Sequence, residues 1–266
     1  MHTDQQRSGA MESGHVLPGT KVLGARVTAL GWRETLDVLA GWAAHRESRY
    51  VCVSNVHMVV TAQKDAMLAE AMRMADMCTP DGAPIAWMLR RLGFDRQPRI
   101  SGTELMLAYF REAAQRGESV FLLGSTEQTL AALVSALGQR VPGLRVAGAY
   151  SPPFRPASEL EDAALVDHIN DSGARTVWVS LGCPKQEKWM LAHRGRVRAV
   201  MFGVGAAFDF VAGAKPRAPQ WMQKAGLEWL HRFASEPGRL WKRYLVTNTL
   251  FLLGAARQLV FRRSKG

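Results

Sequence analysis

Gly182-Cys183-Pro184-Lys185-Gln186-Glu187 follows directly on the apolar run Thr176 to Leu181. A β-rich run that ends in glycine and opens onto charged and amide side chains delivers them to the carboxyl edge of a buried strand, where open α/β sheets bind ligands. Thr79-Pro80-Asp81-Gly82 lies between a short apolar run and the helix-like stretch Ile85 to Leu92. Asp81 there suits either the cap of that helix or a general base facing a cleft. Ser54-Asn55 closes the apolar run that begins at Tyr50, and Asn55 suits a hydrogen bond to a nucleotide or sugar as well as a turn. His57 reads as an ordinary surface or satisfied histidine. Downstream, Arg217, Arg232, Arg239 and Arg243 are hard to explain as packing. Guanidinium forks bind phosphate oxygens in bidentate fashion, so several of them together would hold a diphosphate. Trp221 and Trp229, interleaved with them, read as core or docking residues.

The elements that must position these groups are legible as a change of period. Apolar, β-branched runs recur at Tyr50 to Ser54, Ser119 to Gly124, Leu144 to Ala149, Thr176 to Leu181 and Ala199 to Val204. Helix-like stretches lie between them at Met58 to Met74, Thr103 to Gln115, Thr126 to Leu137 and Ala157 to Asn170. Strand and helix alternate, which predicts an α/β, Rossmann-like fold: a largely parallel sheet with helices on both faces. Ser125-Thr126 and Ser101 or Thr103 offer helix starts. After Phe210 the pattern shifts to a segment rich in Trp and Arg, punctuated by Gly213, Pro216, Pro219 and Pro237, with helical periods at Gln220 to Phe233 and Arg239 to Phe261. The organisation expected is therefore a disordered lead-in over 1–19, a Rossmann-like catalytic domain over 20–213 and a basic helical appendage over 214–266.

Bulk properties narrow the class. With 266 residues, 47% of them apolar and 21% charged, the chain can bury one sizeable core. Cys52, Cys78 and Cys183 have no metal-type spacing and read as reduced thiols of a cytosolic protein. The lead-in lacks the basic start and apolar core of a secretory signal, and no run of about 18 apolar residues predicts a spanning helix. The charge is lopsided: from Ala214 onward there are eleven basic and two acidic residues, a net +9 of the chain's +11. Such asymmetry points to an anionic partner, whether nucleic acid, an acidic membrane or a phosphorylated substrate.

Several familiar chemistries are absent as motifs. Gly203-Val204-Gly205 follows a strand-like run, but Phe208 stands where the third glycine of a dinucleotide fingerprint belongs, so NAD is not expected. There is no GxxxxGK[ST], HExxH or GxSxG. There is also no Asp-x-Asp pair of the kind that holds a metal in many nucleotide-sugar enzymes, so protein cations would have to neutralise a leaving diphosphate.

Taken in order, Thr79-Pro80-Asp81-Gly82, Arg99-Ile100-Ser101-Gly102, Val120-Phe121-Leu122-Leu123-Gly124, Leu181-Gly182-Cys183-Pro184-Lys185-Gln186-Glu187 and Gly203-Val204-Gly205-Ala206-Ala207-Phe208-Asp209 resemble the motifs of the WecG/TagA/CpsF glycosyltransferases, glycosyltransferase family 26. Arg217-Ala218-Pro219, Leu227-Glu228-Trp229-Leu230-His231-Arg232 and Glu236-Pro237-Gly238-Arg239 complete the series, and the likeness runs from about Lys21 to Tyr244. Each motif alone is weak; in this order they are specific.

The resemblance implies inverting, metal-independent and cofactor-free transfer of a hexose-type sugar. The donor is often UDP-N-acetylmannosamine, and the acceptor a polyprenyl-diphosphate-linked sugar at the inner face of a bacterial cytoplasmic membrane. A glucosyltransferase of exopolysaccharide assembly is the alternative within the family, and a basic nucleic-acid-binding protein the alternative outside it. By motif, Asp81 is similar to the general base. Asn55, Ser54, Arg99, Gly124, Lys185, Gln186, Glu187 and Asp209 are similar to donor or acceptor contacts, and Arg217, Arg232, Arg239 and Arg243 to diphosphate ligands. The implied partners are the donor, the acceptor and an anionic membrane surface, with no nucleic acid; a homo-oligomer stays open. Val53-Ser54-Asn55 lacks the Thr that members often carry near the Asn, so Ser54 inherits a hydroxyl role or none exists. Cys183 replaces a small Ala or Ser and reads as a tolerated substitute, not as a nucleophile.

Overall fold

A computed structural model of the chain describes residues 16–153 and 163–263. Most of the expected lead-in and the first half of the stretch read as helix over Ala157 to Asn170 lie outside the described residues. The side chains of Lys224, Arg239, Leu240, Lys242, Arg243, Tyr244 and Arg263 also lie outside them.

Six strands form one parallel sheet in the order β4-β3-β8-β7-β5-β6. They are β3 (Tyr50–Ser54), β4 (Met77–Pro80), β5 (Ser119–Gly124), β6 (Arg145–Tyr150), β7 (Thr176–Ser180) and β8 (Val200–Gly203), and every pairing among them is parallel. A small antiparallel hairpin, β1 (Gly19–Val22) and β2 (Ala25–Thr28), precedes them. The five strands read from the apolar runs are present. Both hairpin strands and β4 escaped that reading: unlike the equally short β8, none lies within a longer apolar run, and β4 ends in a proline.

Alternation along the strands builds two cores, one on each face of the sheet. Val51, Val53, Leu122, Trp178 and Phe202 point to the face covered by α1 (Trp32–Ala44), α5 (Gly102–Gln115), α6 (Glu127–Arg140) and α9 (Ala207–Val211). Trp178 stacks on Phe202 with ring centroids 4.1 Å apart. Tyr50, Cys52, Phe121, Val177 and Met201 point the other way. There they meet α2 (Val56–Ala62), α3 (Ala66–Met74), α4 (Ala83–Arg91), α7 (Ala163–Asp171) and α8 (Lys185–His193). Helices on both faces of a parallel sheet are the architecture the alternating pattern implied.

Two stretches read as single helices are broken. The period from Met58 to Met74 spans both α2 and α3, because the Asp65 carboxylate accepts the backbone N–H of Leu68 at 3.0 Å and starts a new helix. Gln220 to Phe233 divides into α10 (Gln220–Lys224) and α11 (Glu228–Ser235) at Gly226. Its φ of +73° and a neighbour, Ala83 Cβ, only 2.8 Å from where its own Cβ would sit leave room for glycine alone.

The last helix, α12 (Pro237–Arg263), returns to the core. Its Phe251 and Ala255 are buried with Met58 and Val59. Gln258 braces the hairpin turn, its Oε1 accepting from Leu23 N at 2.9 Å and its Nε2 donating to Lys21 O at 2.7 Å. From Gln220 to Arg263 the segment carries α10, α11 and α12, and Phe251 and Ala255 of α12 pack into the body of the molecule.

Candidate active site

The carboxyl edge of the sheet gathers the residues singled out by type and spacing. Ser54 ends β3, and its carbonyl accepts the Asp81 N–H at 2.9 Å, so the turns after β3 and β4 are stitched together. Ser54 is fully buried, and its hydroxyl finds no partner among the described residues. Asn55 caps α2, its Oδ1 accepting from Met58 N at 3.1 Å, which leaves its amide NH2 for other work.

Asp81 does not cap α4. That helix starts at Gly82, whose φ of +89° turns the chain away without any side-chain cap. The Asp81 carboxyl is half-buried and makes no hydrogen bond among the described residues. Burial pushes it up to about 6 from its ordinary 3.8; Arg99 and Arg232 pull it down, while Glu228 and Glu104 push it further up. An ordinary carboxylate would have served as a base without such a shift. The elevated value places the proton affinity of this group closer to working pH, which improves a general base.

Beside Asp81 stands an ion cluster. Arg99 pairs with Glu104 at 3.1 Å and, in a shorter contact, with Glu228. Arg217 pairs with the same two acids at 3.3 Å and 3.7 Å. Ser101 donates to Glu104 at 2.6 Å, so the residue expected as a helix cap holds that carboxylate in place. The cluster joins the core, through Arg99 and Glu104, to the appendage, through Arg217 and Glu228. Glu104 and Glu228 were missed from sequence; the available signal was that Glu228 is one of only two acids in the strongly basic segment. A cleft of about 930 Å³ lies between α4, α5 and α10, with Arg99, Glu104 and Arg217 on its wall; Asp81 is not part of its lining but lies within electrostatic reach of Arg99 and Glu104.

The other half of the edge lies over β5, β7 and β8. Gly124 has a φ of +108°, and a Cβ there would fall 2.5 Å from Ser180 O, so the close approach of the paired ends of β5 and β7 requires glycine. Lys185 opens α8. Gln186 and Glu187 are buried: Gln186 Nε2 donates to Glu187 Oε1 at 2.7 Å, and Gln186 Oε1 accepts from Gly205 N at 3.1 Å. Glu187 was expected to touch a ligand, but with no exposed surface its visible work is to orient the Gln186 amide. Burial raises its carboxyl to about 7 against the pull of Gln186 and the Cys183 thiol. Asp209 pairs with Lys215 at 3.2 Å, and the same ammonium reaches Glu236 at 3.2 Å.

Of the four appendage arginines, Arg217 lines the cleft and Arg232 lies 5.6 Å over the Phe210 ring within electrostatic reach of Asp81. The side chains of Arg239 and Arg243 lie outside the described residues. Cys52 and Cys78 are buried free thiols, and Cys183 is a partly buried one. No group of three or more His, Cys, Asp or Glu among the described residues is placed to hold a metal.

A parallel sheet whose carboxyl edge offers one hydrogen-bond-free carboxylate beside clustered guanidiniums defines a Rossmann-like enzyme arranged for an anionic ligand. The chain belongs to the Glycosyl transferase WecG/TagA/CpsF family, whose model matches residues 20–265. Two relatives from Staphylococcus aureus, strains MW2 and NCTC 8325 / PS 47, are each 31% identical to it over 195 residues, 73% of this chain and 73% of theirs. Both bear the name N-acetylglucosaminyldiphosphoundecaprenol N-acetyl-beta-D-mannosaminyltransferase. The protein is thus a glycosyltransferase.

Proposed function

We propose that the protein transfers N-acetylmannosamine from UDP-N-acetylmannosamine to N-acetylglucosamine on a polyprenyl diphosphate, with inversion and without a metal. The observation that carries this reading is Asp81: a half-buried carboxylate with no hydrogen bond, raised by burial and standing beside the Arg99–Arg217 cluster. Asp81 accepts the proton of the acceptor hydroxyl while that oxygen attacks the anomeric carbon of the donor. The bond to UDP breaks, and the departing diphosphate takes its negative charge to fixed guanidiniums and amides. Gln186, with its amide fixed by Glu187 and Gly205, belongs to the wall that orients the donor.

The names of the relatives and the family match support the substrate pair. Mass spectrometry of the product from a panel of UDP-sugars and a polyprenyl-diphosphate-N-acetylglucosamine acceptor tests it, with the anomeric configuration read by NMR. Transfer of glucose in preference to N-acetylmannosamine would replace the donor assignment. Activity is expected to survive EDTA; its abolition, restored by a divalent ion, would overturn the metal-free reading.

We further place the enzyme at an anionic membrane surface. No helix among the described residues is long and apolar enough to cross a membrane. Yet Trp221 (65% exposed), Trp229, Trp241, Leu245 and Leu252 stand exposed on a segment carrying a net +9. Aromatic and basic residues together favour the headgroup boundary, each well-placed cation adding about 1 kcal/mol over anionic lipid.

A further inference from the structure

The cleft beside Asp81 extends beyond the residues that any motif marked. Arg90 and Arg111 line it together with Arg99 and Arg217, against a single lining acid, Glu104. A structural ion network balances its charges, and Arg99 and Arg217 do have acid partners in Glu104 and Glu228. Arg111 has none among the described residues. It is exposed on the outer face of α5, seven positions after Glu104, and therefore about 10 Å of helix further from the reaction edge. Leu107 and Ala108 lie between the two on the same helix face, and Trp32 from α1 adds a flat apolar wall. The cleft thus runs from a charge-balanced end near Asp81 to a cationic end at Arg111, which has no acid partner among the described residues.

We propose that Arg111 is the outer phosphate ligand of the acceptor: the sugar lies along the Leu107–Ala108–Trp32 stretch, its reacting hydroxyl at Asp81 and its diphosphate turned outward onto Arg111. This rests on the acceptor reading given above. One sugar ring followed by two phosphates is an elongated ligand, neutral at one end and strongly anionic at the other, and that polarity matches the cleft. The donor has the same diphosphate chemistry, so its binding must be read separately. Arg90, whose Nη1 is committed to Gln97 O at 3.0 Å, serves as a neighbouring positive charge and not as a free fork.

The test is the Arg111→Ala enzyme, with Arg111→Lys as its partner. Arg111→Ala is expected to raise the acceptor KM about tenfold, the cost of roughly 1.4 kcal/mol in lost binding, while kcat and the KM for the UDP-sugar hold. Lys keeps the charge without the bidentate fork and should recover part of the loss. Calorimetry with inorganic pyrophosphate, run with UDP saturating the donor site, reads the same site without turnover and should show the matching loss of affinity. An unchanged acceptor KM, or a rise in the donor KM instead, would overturn the assignment. If the wild-type enzyme moves no sugar to a polyprenyl-diphosphate acceptor, the function reading fails. The calorimetric comparison then still decides whether Arg111 holds a diphosphate.

Discussion

Asp81 carries a conflict between stability and chemistry that can be measured. A carboxyl raised from 3.8 to about 6 by burial is more easily ionised in the unfolded chain than in the folded one. The fold therefore loses stability as pH rises through the interval from about 4 to 6, and the deficit stays constant above it. Asp81→Asn should cost 10²-fold or more in turnover. It should also gain on the order of 2–3 kcal/mol at pH 7.5, seen as a melting temperature several degrees higher. The gain should shrink as pH falls through 6 and 4 and vanish below about pH 3, where the wild-type carboxyl is neutral in both states. The pH profile of kcat/KM should carry an ascending limb near 6; a limb near 4, or full activity in the Asn variant, would remove Asp81 from the base role. At this scale the sequence was generous with residue types and silent about burial. Arg217 stood out because arginines in a Trp-rich segment are hard to explain as packing; Asp81 was read as a helix cap as readily as a base, and Arg99 entered only through the resemblance. That Glu187 faces inward and Asn55 caps a helix depends on which way each side chain leaves its backbone, and no spacing rule specifies that.

The elements were legible where the apolar runs were long. Strands embedded in longer apolar runs declared themselves, the four-residue β8 among them, whereas β4 and the hairpin, with no such run around them, did not, although β4 is the strand that delivers Asp81. The helix breaks at Asp65 and Gly226 were not read, because neither residue by itself marks a stop inside a stretch of helix-forming composition. The seat of α12 was hidden for a different reason: among its described residues only Thr247, Phe251 and Ala255 are buried, in a helix of 27, too thin a stripe to stand out from sequence. Phe251→Ala is expected to cost about 3–5 kcal/mol, the range for emptying a buried phenylalanine site, with a melting temperature lower by roughly 10 °C. A melt within a degree or two of wild type would mean that α12 contributes little to the fold.

For the molecule as a whole, the uneven charge was the property most easily read and the most open in meaning. Nucleic acid, lipid and phosphorylated substrate all remained eligible until the carboxyl edge, the acid-bound arginines and the family match were taken together. Cutting the chain after Phe233 would test membrane docking badly, since it removes Phe251 and Ala255 from the core along with the exposed residues. Trp221→Glu combined with Leu252→Glu alters only exposed positions. This double variant should lower flotation with anionic vesicles several-fold while leaving the melting temperature within a degree or two, and raised salt should weaken what binding remains. Equal flotation of variant and wild type would place the docking surface elsewhere.

Phe208 and Val211 fasten the chain just before Gly213, and Phe251 fastens it again near the end. The stretch between them is consequently tethered like the handle of a basket. With both ends riveted, any motion that widens the cleft has to bow the middle of the handle and part the Arg99–Glu228 and Arg217–Glu104 pairs that cross to the core.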